Sequence, residues 1–295
     1  MHPTPSTALF FNERNGPLLN ALGASHAQSI ASSRVTCFCE HHQRAAKERG
    51  IDFERARQGC QKLDQFVQTA LKGERPSDGY FVEFWRLLVE WPEITAWDRL
   101  FDAAKHQVLA EVNAAVKGVR PGLQGASISS TSTRSIPSSA PRADLAAQAD
   151  FLKVVVYNNC GGERYANFIR NIGSTVFRDV PGEELLRFNN HLLNFGDEPK
   201  LDELATAGLT PDYISRETKR AVVGVDGKCL ILPGIDLGIP TGTNSRKASP
   251  EDTYAAVAAA LNAGAHGVIL SRKYSEMRLA NLSAAGEAVR AAAKG

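Results

Sequence analysis

Polar and ionisable residues stand at the ends of several short apolar runs. Asp236 follows Cys229–Leu232, Pro233 and Gly234, and Ser271-Arg272-Lys273-Tyr274 follows Gly267–Leu270. Tyr157-Asn158-Asn159-Cys160-Gly161-Gly162 closes the β-branched run that starts at Phe151. Asn12-Glu13 follows Ala8–Phe11. In parallel sheets, polar groups at the C-terminal strand ends face the ligand. Asp236 and residues 271–276 are therefore the first candidates for chemistry. A surface loop accounts for Asn12 and Glu13 equally well.

A second kind of chemistry is written in Cys37-Phe38-Cys39-Glu40-His41-His42. Two thiols one residue apart, with an imidazole shortly after, can supply soft ligands to a metal. A structural zinc takes four N/S ligands in a tetrahedron. This stretch supplies Cys37, Cys39 and either His41 or His42, with His26 a candidate for the fourth. The alternative is that the thiols pack as small apolar groups and the histidines are solvated at a helix start.

These residues need elements to hold them. Ser249-Pro250-Glu251-Asp252 opens a helix, with Ser249 as N-cap and acids in the first turn. Tyr254, Val257 and Leu261 continue at helical spacing, and Gly264 closes it. With its flanking apolar runs this helix makes a βαβ unit across residues 228–277. Residues 43–119 are helical. Their stripes are Ala56, Cys60, Leu63, Val67 and Ala70, then Tyr80, Phe81, Phe84, Trp85 and Leu88, then Trp97, Phe101, Ala104, Val108, Val112 and Val119. At that spacing the aromatics read as core; the other reading of Trp85, Trp91 and Trp97 is a sugar-stacking platform. Further helical pieces are Asp144–Asp150, Arg164–Asn171, Glu183–Leu193, Pro211–Val222 and residues 279–293. Residues 121–142 are rich in Ser, Thr and Pro and read as a linker or loop.

Composition narrows the function classes. The chain has 295 residues, 43% apolar and 22% charged, which is ordinary for a globular protein. A net charge of +2 with no basic block argues against nucleic-acid or membrane-surface partners. No apolar run approaches the ~20 residues of a membrane span, and the first residues lack a basic n-region. The chain as it stands is therefore expected in the cytoplasm. Five cysteines, an odd number, do not describe a disulfide scaffold.

Pairing strands with helices backwards from the C-terminus predicts α/β architecture of the (β/α)8 TIM-barrel type. The terminal strand is the eighth, so Asp236 ends strand seven and Glu13 ends strand four. Strands one to three find no sequence here, so an incomplete barrel, or one completed by a partner copy, is expected. Residues 1–295 then form one barrel domain with a helical insertion at 40–119 and a low-complexity loop at 121–142.

The runs Phe10-Phe11-Asn12-Glu13-Arg14-Asn15-Gly16-Pro17, Thr36-Cys37-Phe38-Cys39-Glu40-His41 and Phe84-Trp85-Arg86-Leu87-Leu88 resemble a family. So do Val156-Tyr157-Asn158-Asn159-Cys160-Gly161-Gly162, Pro233-Gly234-Ile235-Asp236 and Leu270-Ser271-Arg272-Lys273-Tyr274-Ser275-Glu276-Met277. The family is the uncharacterised bacterial glycoside-hydrolase-like TIM-barrel proteins, and the resemblance covers most of residues 9–290. It implies a barrel fold and a carbohydrate substrate. In the large clan of retaining glycosidases an Asn-Glu pair ends strand four, with the Glu as acid/base. A second carboxylate ends strand seven as nucleophile. Asn12-Glu13 and Asp236 fall on those positions, with Asp where the clan normally has Glu. The family's cysteine motif reads Cys-x-Cys-x-x-Cys, similar to the zinc cluster of some β-galactosidases, and here its last position is His42.

The implied chemistry is glycoside hydrolysis by two carboxyl groups, Glu13 as acid and Asp236 as nucleophile or base. Asn12, Tyr157, Asn158 and Asn159 are candidates for sugar hydroxyl contacts, with Arg272, Lys273, Tyr274 and Glu276 lining the strand-eight side. A surface role for Glu276 and rim salt bridges for Arg272 and Lys273 stay open. No cofactor is required beyond a structural zinc, and a homo-oligomer is an open expectation. The alternatives are a non-catalytic glycan-binding or structural barrel remnant, and a metal-dependent hydrolase using Cys37, Cys39 and His41 or His42. No Ser-nucleophile elbow, P-loop or dinucleotide fingerprint occurs.

Overall fold

Helices carry most of this chain. The computed structural model describes residues 16–22, 36–119, 126–129, 142–196, 198–238, 246–271 and 277–294. They divide into two units, residues 1–108 with 168–185 and residues 109–167 with 186–295.

The first unit begins with α1 (Pro17–Ala21), α2 (Glu40–Glu48), α3 (Phe53–Lys72), α4 (Tyr80–Glu90) and the start of α5 (Glu93–Val119). Asp52 caps α3 by accepting from the Arg55 N–H at 3.0 Å, and Gly73 ends it in the left-handed region. The expected α3 stripe of Ala56, Cys60, Leu63, Val67 and Ala70 is buried in full. It feeds two apolar clusters. Leu63, Phe66 and Val67 pack with Tyr80, Leu87 and Ile94. Ala56 and Cys60 pack with Ala46, Trp97 and Leu100. Each large side chain removed from water this way contributes about 1.5–3 kcal/mol. The expected α4 stripe is turned instead: Tyr80 and Leu87 are buried, while Phe81 and Trp85 are 51% and 61% exposed.

The second unit is built on parallel strands. Its elements are β1 (Ala126–Ser129), α6 (Arg142–Ala146), β2 (Phe151–Val154), the start of α7 (Gly161–Gly173), the end of α8 (Gly182–Leu193), α9 (Leu204–Ala207), α10 (Pro211–Val225), β3 (Leu230–Ile231), β4 (Gly234–Asp236), α11 (Pro250–Asn262), β5 (Ile269–Ser271) and α12 (Leu279–Ala292). The order is β1-β2-β3 in one sheet and β4-β5 in another, with Val155 bridging to Gly234. In register, Phe151 pairs with Ala126 and Leu230, and Asp236 pairs with Ser271. The βαβ unit of the sequence is β4, α11 and β5. Its helix opens with a capping box: Ser249 Oγ accepts from Asp252 N at 3.1 Å, and the Asp252 carboxylate accepts from Ser249 N at 3.1 Å.

One expectation is corrected. The chain does not form a (β/α)8 barrel, incomplete or otherwise: among the described residues helix accounts for 64% and strand for 6%, and the strands make short open sheets. Ladders of two to four residues do not close a ring, and the α3 stripe packs against neighbouring helices in place of covering a sheet. Within the Ser/Thr/Pro-rich stretch, Ala126–Ser129 is a strand, because its backbone pairs with β2 whatever its composition.

Candidate functional site

Two clusters carry chemistry, one in each unit. The cluster of the second unit grows from strand parity. Successive side chains on a strand point to opposite faces. Leu152, Val154 and Val156 on one side are fully buried, as are Ile235 and Leu237. The register of β2 against β4 and β4 against β5 puts Lys153, Tyr157, Gly234, Asp236 and Ser271 on the other side. This face is polar.

Ser271 lies at its centre. Lys153 Nζ donates to Ser271 Oγ at 3.3 Å, and Tyr157 OH lies 3.0 Å from the same atom. Lys153 Nζ and the Arg164 guanidinium lie 5.6 and 5.8 Å from the Tyr157 ring centroid. Gly234 makes this possible. A Cβ there would come within 2.9 Å of Lys153 Cε and 3.0 Å of Tyr157 Cε1.

Asp236, the expected strand-end acid, is only 2% exposed. Its carboxylate accepts from the Cys160 N–H at 2.9 Å and from Asn159 Nδ2 at 3.4 Å. Burial pushes its pKa up, and the hydrogen bond from Cys160 pulls it back. Cys160 directly precedes α7, so Asp236 ties the end of β4 to the start of that helix. Asn158 is also engaged, its Nδ2 donating to Leu209 O at 3.1 Å while Leu209 N donates to Asn158 O. The chain packs tightly here: a Cβ on Gly162 would meet Leu204 O at 1.9 Å.

Tyr157, Asn159 and Asp236 are thus brought to one end of the parallel strands. Asn12, Glu13, Arg272, Lys273, Tyr274 and Glu276 lie outside the described residues. Ser271 opens the 271–276 cluster that the sequence singles out, and Lys153 is the residue that sequence reasoning passed over. The signal was a lone lysine inside an apolar run, four residues before Tyr157 and so on the same strand face.

The cluster of the first unit is Cys37, Cys39 and His42, whose ligand atoms all lie within 4.8 Å of one another. Cys39 is the N-cap of α2 in extended conformation, so His42 follows one turn later on the same face. Cys39 Sγ and His42 Nδ1 are 3.1 Å apart. Aromatic packing sets the geometry. Phe38 stacks on Trp97 at 4.8 Å, the Trp97 indole N–H donates to Thr36 Oγ1 at 3.1 Å, and the His42 ring stacks on Phe101 at 4.9 Å. Extended backbone alternates, so anchoring Thr36 and Phe38 on one side leaves Cys37 and Cys39 on the other. Of the two histidines, the structure selects His42. His41 is exposed beside Glu40, and His26 lies outside the described residues. A tetrahedral zinc with Zn–S bonds of about 2.3 Å holds its sulfurs about 3.8 Å apart. The three side chains fit that donor set, so this group can hold a metal ion.

No protein-family model, curated protein or solved structure matches the chain. Among the described residues, no helix is long and apolar enough to cross a membrane.

Proposed function

We propose that the polar face of the second unit's sheet binds a carbohydrate. One observation carries this reading: Lys153, Tyr157, Asp236 and Ser271 gather on one face around a half-buried tyrosine ring. An aromatic face offers a platform for sugar C–H groups, and the surrounding donors and acceptors match hydroxyls. Isothermal titration against a panel of neutral and acidic glycans tests it. Wild type binds a member of the panel and Tyr157→Ala weakens that binding about tenfold or more, the scale of one lost aromatic contact. A folded wild type that binds none overturns the reading.

Hydrolysis by Glu13 and Asp236 is the second reading, favoured by the place of Asp236 at a parallel-strand end. It needs the two carboxyl groups about 5–5.5 Å apart for retention or about 6.5–9.5 Å for inversion. The hydrogen bonds already made by Asp236 favour binding without turnover. Glu13→Gln abolishing release of an aryl leaving group would establish hydrolysis; turnover unchanged in that variant sinks it.

We also propose that Cys37, Cys39 and His42 hold a structural zinc, with the fourth position taken by water or another side chain. The metal would pin the extended segment before α2 to the Trp97 cluster. Purified protein carries one equivalent of zinc by elemental analysis, and Cys39→Ala carries none. Less than one equivalent in a zinc-replete preparation removes the proposal. Hydrolysis that stops on chelation would convert the same site into a metal-dependent hydrolase.

A further inference from the structure

We infer that Ser271, held between Lys153 and Tyr157, is a nucleophile for acyl transfer from esters of small carboxylic acids. A serine hydroxyl attacks carbonyl carbon only when a neighbour takes its proton. Ser271 Oγ has two such neighbours on the same sheet face, Lys153 Nζ at 3.3 Å and Tyr157 OH at 3.0 Å. These are the separations of a serine and its base before substrate tightens them. Three further features support the site. Gly234 carries no side chain where a Cβ would collide with both Lys153 and Tyr157, so the two can converge on Ser271. Ser271 is itself 4% exposed, sheltered from bulk water, whereas Lys153 and Tyr157 are only half-buried. Its backbone is fixed by the ladder to Asp236 and by Leu237 N donating to Ser271 O at 2.8 Å.

The step is a substitution at carbonyl carbon. Lys153 in its neutral form takes the Ser271 proton, directly or through the Tyr157 hydroxyl, as Oγ bonds to the carbonyl carbon. The bond from that carbon to the alkoxy oxygen then breaks, and the proton passes from Lys153 to the departing oxygen, releasing an alcohol. Water attacks the acyl-serine, giving the carboxylic acid and restoring the hydroxyl. No electron donor or acceptor is needed. The proposal stands apart from the carbohydrate reading, since neither the leaving group nor the acyl group has to be a sugar.

The test uses the full chain with a fluorophosphonate probe and with p-nitrophenyl acetate. The expected result is one equivalent of label, placed on Ser271 by peptide mass spectrometry. Ser271→Ala loses the label. Lys153→Met slows labelling and p-nitrophenol release by about a hundredfold or more, and Tyr157→Phe by about tenfold, the range for removing a positioned proton acceptor. Ser271→Cys covers the case in which an alanine variant fails to fold: its thiol takes iodoacetamide, faster with Lys153 present than in the double variant with Lys153→Met. Unlabelled Ser271 in folded wild type overturns the inference. So does labelling whose rate ignores both Lys153→Met and Tyr157→Phe. Because the probes contain no sugar, a chain that binds no glycan can still pass, and a glycan binder can still fail.

Discussion

Asp98 shows how much one side chain can control. It lies 6% exposed in the first unit, where its carboxylate accepts from Leu18 N at 3.2 Å. Burial raises its pKa to about 6, against the pull of that hydrogen bond. A folded pKa above the unfolded value means that the fold favours the protonated acid. The benefit is complete below the unfolded value and is lost as pH rises through about 6. Asp98→Asn keeps an oxygen for Leu18 and removes the buried charge. It should raise stability above that pH by about 1–2 kcal/mol and change little well below it. Urea unfolding on either side of the transition checks this, and equal differences on both sides refute it. The cysteines divide by the same physics. Burial pushes the Cys60 thiol up to about 12, which leaves it a packed apolar group. Cys37 and Cys39 are half-buried beside His42, the setting in which a thiolate can serve as a ligand.

At the scale of elements, α11 is specified by its own first turn. Ser249 and Asp252 exchange hydrogen bonds across the cap, and Arg246 Nη2 adds a 2.8 Å bond to Asp252. Ser249→Ala should cost about 1 kcal/mol. Since the two residues satisfy each other, Asp252→Ala on top of it should add less than Asp252→Ala alone costs in wild type. Equal increments in a denaturant series would show that the box is not a unit. By contrast α4 is not specified by its own residues. It is apolar nearly all round, so Tyr80 with Leu87 and Phe81 with Trp85 are equally good helical stripes. Packing against Phe66 and Ile94 chooses the first pair and leaves the second in water. Both α11 and α4 were legible as helices. Neither disclosed its buried face: in α11 Thr253, Ala256, Val257 and Ala260 are buried while Tyr254 of the expected stripe is 40% exposed, because a cap is local and a buried face is not.

For the molecule as a whole, division into two units separates the two clusters. All three tryptophans, Trp85, Trp91 and Trp97, belong to the first unit. Tryptophan fluorescence therefore reports on the unit holding Cys37, Cys39 and His42. The zinc proposal acquires a global consequence here. A hundredfold excess of zinc over its dissociation constant adds about 2.7 kcal/mol to the fluorescence-detected unfolding free energy. Cys39→Ala should abolish that gain. A gain that survives the substitution would place the bound zinc elsewhere.

The sequence by itself determined the longer helices, the Ser249 cap of α11, the Cys37-x-Cys39-x-x-His42 spacing and the place of Asp236 at a strand end. Each is set by contacts within a turn or two of chain, where propensity, capping and periodicity act. Tertiary structure brought His42 to the thiols and left His41 exposed, with stacking on Phe101 orienting the His42 ring. It decided that the strands make open sheets, since closure depends on ladder length and on pairing between distant segments. It also brought Lys153 to Ser271 across 118 residues. That meeting depends on register, and one residue of slip would send the lysine to the opposite face.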